Sequence, residues 1–278
     1  MSEPAETGAD WLHRDLPKLG KRVHRLGLAS NYGLDEAGVR AAFDRGLNYV
    51  FAGYINRSAH RPLAAACADG RERMVIATGP SVGYFGGSVR RACEAALRRY
   101  KTDYIDVFHL FWVGVGSAWT DGTTRELRAL KDEGKVRATA VSIHDRPRAG
   151  RLVAENAVDL LMIRYNAAHP GAEQDIFPHL PPRGHADRPV VLAYTATRWR
   201  KLLKPPRGWQ GPAMSAADCY RFCLSHPDVD LVLGGPGSVA QLDENLAGLA
   251  RGPLSASEDS QVRDFGRAVR ASAGASIF

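Results

Sequence analysis

At 278 residues, 45% hydrophobic and 24% charged, the chain is too long for a small stapled module and about the size of one large α/β barrel (roughly 250 residues). Its net charge of +7 comes from Lys and Arg scattered through helical stretches such as 89–99 and 127–137, so no basic stripe or tail marks a nucleic-acid surface, and the surplus implies at most some attraction to anionic small molecules. Cys67, Cys93, Cys219 and Cys223 form no C-x-x-C pair, no apolar run approaches a membrane span and no signal-peptide pattern opens the chain, so a cytoplasmic protein with no nucleic-acid or membrane partner is expected.

The first 20 residues are polar, with proline and glycine, and read as a flexible N-terminal arm ahead of a single barrel domain over 21–278. A β-branched run at 23–29 is the first strand. It leads into Ala29-Ser30-Asn31-Tyr32-Gly33, not into the G-x-G-x-x-G turn of a doubly wound sheet. Asp35 N-caps a helix over 35–45. Strands at 48–51 and 74–78 follow, then a helix over 87–100, a strand at 104–110 and a helix over 123–133 closed by Gly134. The pattern continues as strand 138–142, helix 146–155, strand 160–163 and strand 190–194. A helix over 216–225, opened by Ser215 and ended at Ser225-His226-Pro227, precedes strand 231–233 and helix 239–250. Eight short strands alternating with helices predict an α/β fold, a closed (β/α)8 TIM barrel. Segments 167–188 and 195–214 are long, and in a barrel both belong to the C-terminal rim where active sites form.

A set of fragments recurs along this frame: Gly46-Leu47-Asn48-Tyr49-Val50, Tyr104-Ile105-Asp106-Val107, Gly134-Lys135-Val136-Arg137-Ala138, Val141-Ser142, Tyr165-Asn166, Ala193-Tyr194-Thr195 and Gln241-Leu242-Asp243-Glu244-Asn245. In this order, over residues 23–250, they resemble the aldo-keto reductases. The resemblance implies hydride transfer between a nicotinamide and a carbonyl, with a tyrosine as proton donor assisted by lysine, aspartate and histidine. By position, the aspartate falls on Phe51, the tyrosine on Asn56, the lysine on Gly79 and the histidine on Phe111; Tyr54 is the nearest phenol. Exchange of lysine and aspartate together is coherent, because either alone would be an uncompensated buried charge. The resemblance further implies that Tyr194 stacks on the nicotinamide, Ser142 binds its carboxamide, and Glu244 and Asn245 hold the adenine. The amide-binding glutamine falls on Met162, and the residues that grip a 2′-phosphate fall on Gly235 and Gln241. NAD(P)H is therefore the implied cofactor, with nothing to mark a preference for NADPH; no cofactor at all is the alternative.

Other residues speak for themselves. Gly234-Gly235-Pro236-Gly237-Ser238 precedes a helix and offers backbone N–H groups to an anion, with Gly237 and Ser238 nearest the helix. Beside it Arg198-Trp199-Arg200-Lys201 reads either as a pyrophosphate clamp or as a solvated basic loop with one packed tryptophan. His144 follows the fifth strand and could act as acid or base, while Asp145 could cap the next helix. Arg164 shares the barrel-facing side of Met162 and needs a partner, either a substrate carboxylate or phosphate or an internal acid such as Asp106 or Asp145. Phe51, Phe111 and Trp112 would line a substrate pocket, with Asn166 and His169, which begin the long loop, completing its polar rim; His109 reads as a core histidine. The histidines lack the spacing of a metal site. Three functions follow: a nicotinamide-linked oxidoreductase with a non-standard site, a non-redox lyase, isomerase or cyclase using Tyr54, His144 and Arg164 on a small, anionic molecule, or a binding or regulatory protein with a retired site.

Overall fold

The computed structural model describes residues 11–30, 32–53 and 57–272. Eight parallel strands close into a barrel: β3 (Leu26–Ala29), β4 (Tyr49–Phe51), β5 (Val75–Thr78), β6 (Ile105–Val113), β7 (Val136–Ile143), β8 (Leu160–Arg164), β9 (Val190–Tyr194) and β10 (Leu231–Gly234), the last pairing back to β3. The strands are buried on both faces, as a barrel wrapped in helices requires. One apolar layer fills the interior, with Tyr49, Val75, Val107, Ala140, Leu160, Met162 and Leu192. The other lies between strands and helices.

Two elements depart from the sequence reading. The expected first strand is broken at Arg25, and its first part pairs antiparallel with a strand inside the expected arm. These two, β1 (His13–Leu16) and β2 (Lys21–His24), form a hairpin. It seals the N-terminal end of the barrel because Leu16 and Val23 point into the interior layer and Leu19 of the turn packs against it. Met1–Asp10 lie outside the described residues. The second addition is a long terminal helix, treated below.

The helices are α1 (Glu36–Asp44), α2 (His60–Gly70), α3 (Gly86–Tyr100), α4 (Asp121–Asp132), α5 (Arg146–Ala154), a single turn α6 (Ala172–Asp175), α7 (Ala216–Ser225), α8 (Val239–Leu249) and α9 (Ala256–Ser272). Two starts carry the expected caps, Asp35 accepting from the Gly38 amide and Ser215 forming a capping box with Asp218, and Ser238, expected in an anion nest, accepts from the Gln241 amide as the cap of α8. Gly134 takes the left-handed conformation past α4 at φ +72°. The long segment after β8 is packed: Ala167, Ala168 and Ala172 are buried and Phe177 lies against Tyr165. Helix α9 crosses it. Gly266 meets the Ala167 backbone too closely to admit a side chain, and Phe265 packs edge-on to Trp209 of the loop after β9. Among the described residues no helix is long and apolar enough to cross a membrane.

Candidate active site

The C-terminal mouth of the barrel has an aromatic side and a cationic side. On the aromatic side Phe51, at the end of β4, meets Phe111 of β6 edge-on at 5.1 Å, and both rest on His109 at 5.7 and 5.5 Å. His109 is fully buried with both ring nitrogens unpartnered, and burial pushes its imidazole down to about 3, so it is a neutral part of the apolar floor. Gly79 follows β5 where β6 runs against it. A Cβ there would collide with the His109 carbonyl oxygen and sit 3.2 Å from the Phe111 ring. No side chain fits that position without moving β6. Trp112 adopts φ +50°, which turns its ring to the rim, 40% exposed and 5.9 Å from His144.

Between the two sides lies a polar pair. The Tyr194 hydroxyl and His144 Nε2 are 2.5 Å apart, and the Ser142 hydroxyl donates to the Tyr194 oxygen at 3.4 Å. Parity places all three: Ser142 and His144 are two apart on one strand and its extension, and Tyr194 ends β9. Burial raises the Tyr194 phenol above its ordinary range, so it stays protonated. Burial, and then the Arg164 charge, lowers the His144 imidazole, so it is neutral near pH 7. Asp145 is occupied as the cap of α5, accepting from the Arg148 amide at 3.0 Å.

The cationic side begins with Arg164, half-buried at the end of β8. The internal acids expected for it do not serve. Asp106 lies at the opposite end of the barrel with Lys21 and Arg71, and Asp145 caps its helix. Burial first, then the charges of Arg146, Arg198 and Arg270, lower the Arg164 guanidinium below its ordinary value. Asn166 donates to the Thr195 carbonyl at 2.9 Å and orients the ring of His169 at 3.2 Å. Burial and the same arginines push His169 down to about 4.

The loop after β9 is strained. Arg198, Trp199 and Arg200 have φ of +49°, +49° and +69°, three successive left-handed residues that are not glycine. Each such residue costs about 1–3 kcal/mol and persists where the surroundings hold it. The Arg198 side chain is 1% exposed, donates once, to the Val269 carbonyl at 3.1 Å, and keeps its Nε unpartnered; the Thr195 hydroxyl is likewise buried and unpartnered. By contrast, the expected anion nest after β10 is filled from within. Gly237 donates its amide to the Gln241 side chain at 2.8 Å, and Ser238 caps α8. Gly33 packs against Gly237 and the Tyr32 ring covers Gly235, closing the nest from the β3 side. Glu244 is exposed and Asn245 buried on α8. Tyr54 and Asn56 lie outside the described residues.

The structure therefore brings Phe51 and Phe111 into one aromatic contact and Trp112, His144, Tyr194 and Ser142 into a second chain of contacts, Phe111 and Trp112 being neighbours in β6. Arg164 adjoins Tyr194 as its cross-strand partner, with His169 and Arg198 beyond. Sequence reading missed Arg270 and the helix that carries it. The signal was there: Val262, Phe265 and Val269 recur at helical spacing after Ser255, a good N-cap. Among the described residues no three His, Cys, Asp or Glu side chains are grouped to hold a metal.

Residues 30–194 match the model of the Aldo/keto reductase family. The methylglyoxal reductase YeaE of Escherichia coli (strain K12) is 28% identical over 170 residues, which is 59% of each chain. The NADH-specific methylglyoxal reductase of the same organism is 28% identical over 93 residues, 33% of this chain and 28% of its own length. The matches thus span less than two thirds of these curated relatives. Among solved structures, aldo-keto reductase AKR11C1 from Bacillus halodurans (holo form) superposes with a TM-score of 0.74 at 20% identity, covering 91% of this chain and 95% of that one. An aldo-keto reductase from Klebsiella pneumoniae in complex with NADPH gives 0.70 at 23% identity, covering 89% and 93%. These structural likenesses carry the fold.

Proposed function

This chain belongs to the aldo/keto reductase family, and from that premise we propose that it is a nicotinamide-nucleotide-linked oxidoreductase acting on a small carbonyl compound, with the Tyr194–His144 pair in place of the family's tetrad. The observation that carries the reading is the 2.5 Å contact between the Tyr194 hydroxyl and His144 Nε2 at the centre of the mouth. The resemblance puts the family's lysine at Gly79, where the backbone of β6 leaves no room for one. A phenol beside Gly79 would lack the assisting ammonium, whereas this pair is a phenol and an imidazole already hydrogen-bonded.

The residues present fit a dinucleotide in part. By the resemblance Tyr194 and Ser142 would meet the nicotinamide, and the buried, unpartnered Thr195 hydroxyl and Arg198 Nε suit phosphate oxygens. The nest after β10 does not fit as it stands, since Gln241 occupies it. When bound, the reduced nicotinamide supplies the hydride. The chain's own residues handle the proton: the carbonyl π bond gives way to a C–H bond, and the oxygen takes a proton from the Tyr194 hydroxyl, which is refilled through His144. Carbonyl, hydride and proton balance to the alcohol. In the reverse direction neutral His144 draws the proton of the alcohol through Tyr194.

Titration with NADH and with NADPH, followed by intrinsic fluorescence, tests the premise; no saturation by either at millimolar concentration sinks it. Given binding, Tyr194→Phe and His144→Gln should each lower kcat for carbonyl reduction about 10²-fold. The filled nest favours one second reading, a non-redox reaction of an anionic molecule at the same pair. Turnover that depends on His144 but needs no nucleotide would select it.

A further inference from the structure

Arg164 has no counter-charge. Among the described residues it makes neither a hydrogen bond nor an ion pair, and the charges that act on it besides Tyr194 are those of Arg146, Arg198 and Arg270. The acid beside Arg146, Asp175, is bound to that arginine at 2.6 Å. Arg198 is turned away toward the Val269 carbonyl. A half-buried guanidinium facing like charges is destabilising unless an anion joins it, and in a cleft such a group marks a ligand.

Its position relative to the polar pair limits what the ligand can be. Arg164 and Tyr194 are partners in register on neighbouring strands, which lie about 4.8 Å apart, and alternation points both side chains into the barrel mouth. The guanidinium and the phenol therefore address points a few ångströms apart, the separation of a carboxylate and a nearby carbonyl. The planar guanidinium matches the two oxygens of a carboxylate. The Trp112 ring stands 5.9 Å from His144, and its neighbour in β6, Phe111, packs on Phe51.

We propose that Arg164 anchors the carboxylate of a short oxo acid bearing an apolar or aromatic substituent, with its carbonyl oxygen at Tyr194 and the substituent against Trp112 and Phe111. The fate of the carbonyl rests on the reductase reading; the capture of the carboxylate does not.

Calorimetric titration of the nucleotide-free protein with benzoylformate and with its methyl ester separates the two. Benzoylformate should bind the wild type, and Arg164→Met should weaken it roughly 10–100-fold, the worth of a charge-assisted hydrogen-bonded pair. The uncharged ester should change less than about threefold on the same scale. Arg164→Lys should recover part of the loss, and a melting temperature no lower than that of the wild type in both variants shows that the fold is intact. Equal binding of acid and ester by the wild type, no binding of the acid at ten millimolar or so, or unchanged binding of the acid in Arg164→Met would each overturn the anchor. Arg164-dependent binding of the acid without turnover by either nicotinamide would uphold the anchor and remove the reductase reading.

Discussion

At the N-terminal end of the barrel Asp106 is buried but accepts from Lys21 at 2.7 Å, Arg71 at 2.6 Å and the Ile76 amide at 2.9 Å. There too, buried Arg25 donates to the carbonyls of Trp11, Leu224, Val229 and Asp230. At the C-terminal end, among the described residues, Arg164 pairs with no acid and buried Arg198 keeps a donor without an acceptor. The aromatics differ in the same way: Trp11 is buried against Arg25, while Trp112, Trp199 and Phe85 stand exposed on the upper loops. One end spends its polar groups on holding the fold; the other holds them in place for something else, as barrels place stability and function at opposite faces.

The largest expected effect tests the lower end. Asp106→Ala strands two cations that are now shared by one carboxylate, and should cost about 3–5 kcal/mol by urea unfolding. A loss below about 1 kcal/mol, the worth of an exposed ion pair, would show that this network is no more structural than the upper one.

Next comes the chemistry of the upper end. The reductive rate should fall as pH rises through a value below the ordinary imidazole range, because His144 must carry the proton that refills Tyr194 and burial lowers its affinity for it. Oxidation should rise over the same interval. His144→Gln should flatten both limbs and lower kcat about 10²-fold, some 2.7 kcal/mol. An unchanged pH profile in that variant would move the titrating group elsewhere.

Acid should then weaken the fold at both levels of the barrel. Burial pushes His24 down to about 4 and His109 to about 3 from an unfolded value of 6.5. The unfolded chain thus binds more protons in that interval. Stability is complete above pH 6.5 and is lost as pH falls, by about 1.4 kcal/mol per unit for each histidine. His24 levels off near 4 and His109 near 3. His24 accepts from the Leu26 amide, whereas His109 has no partner, so the two contrast in the same way as the two ends. His109→Leu should shrink the stability lost between pH 6.5 and 5 by about 2 kcal/mol; an identical loss in variant and wild type would assign it to other groups.

How far the chain could be read follows the same division. The barrel strands were legible because burial on both faces writes them as unbroken apolar runs, as in Leu160–Arg164 and Val190–Tyr194. The hairpin was not, since His13–Leu16 has one fully buried residue and gains its order from a distant partner. At the site, parity placed Arg164 on the inward face, and the family resemblance pointed to its neighbour Tyr194. The meaning of Gly79 depends on a carbonyl thirty residues away, at His109, and the filling of the nest depends on Gln241 turning back on Gly237. Both contacts arise from how loops fold over strand ends, which no periodicity records.

The smallest effect is the most direct probe of the contrast between the two ends. In the ligand-free protein, Arg164→Met removes a half-buried charge that, among the described residues, is paired with no acid and faces Arg146, Arg198 and Arg270, and substitutes a flexible apolar side chain of comparable reach. The lost interactions are few; the relieved repulsion and desolvation are shared with solvent because the group is only half-buried, so the gain is small. The variant should be as stable as the wild type or more stable by up to about 1 kcal/mol, read from urea midpoints at low salt, and the difference should shrink as salt rises. Removing the cation of a fold-holding network does the opposite, as Arg71→Met should show beside Asp106. If Arg164→Met instead destabilises by 2 kcal/mol or so, as the loss of a satisfied buried polar group would, then Arg164 belongs with the lower end and holds the fold.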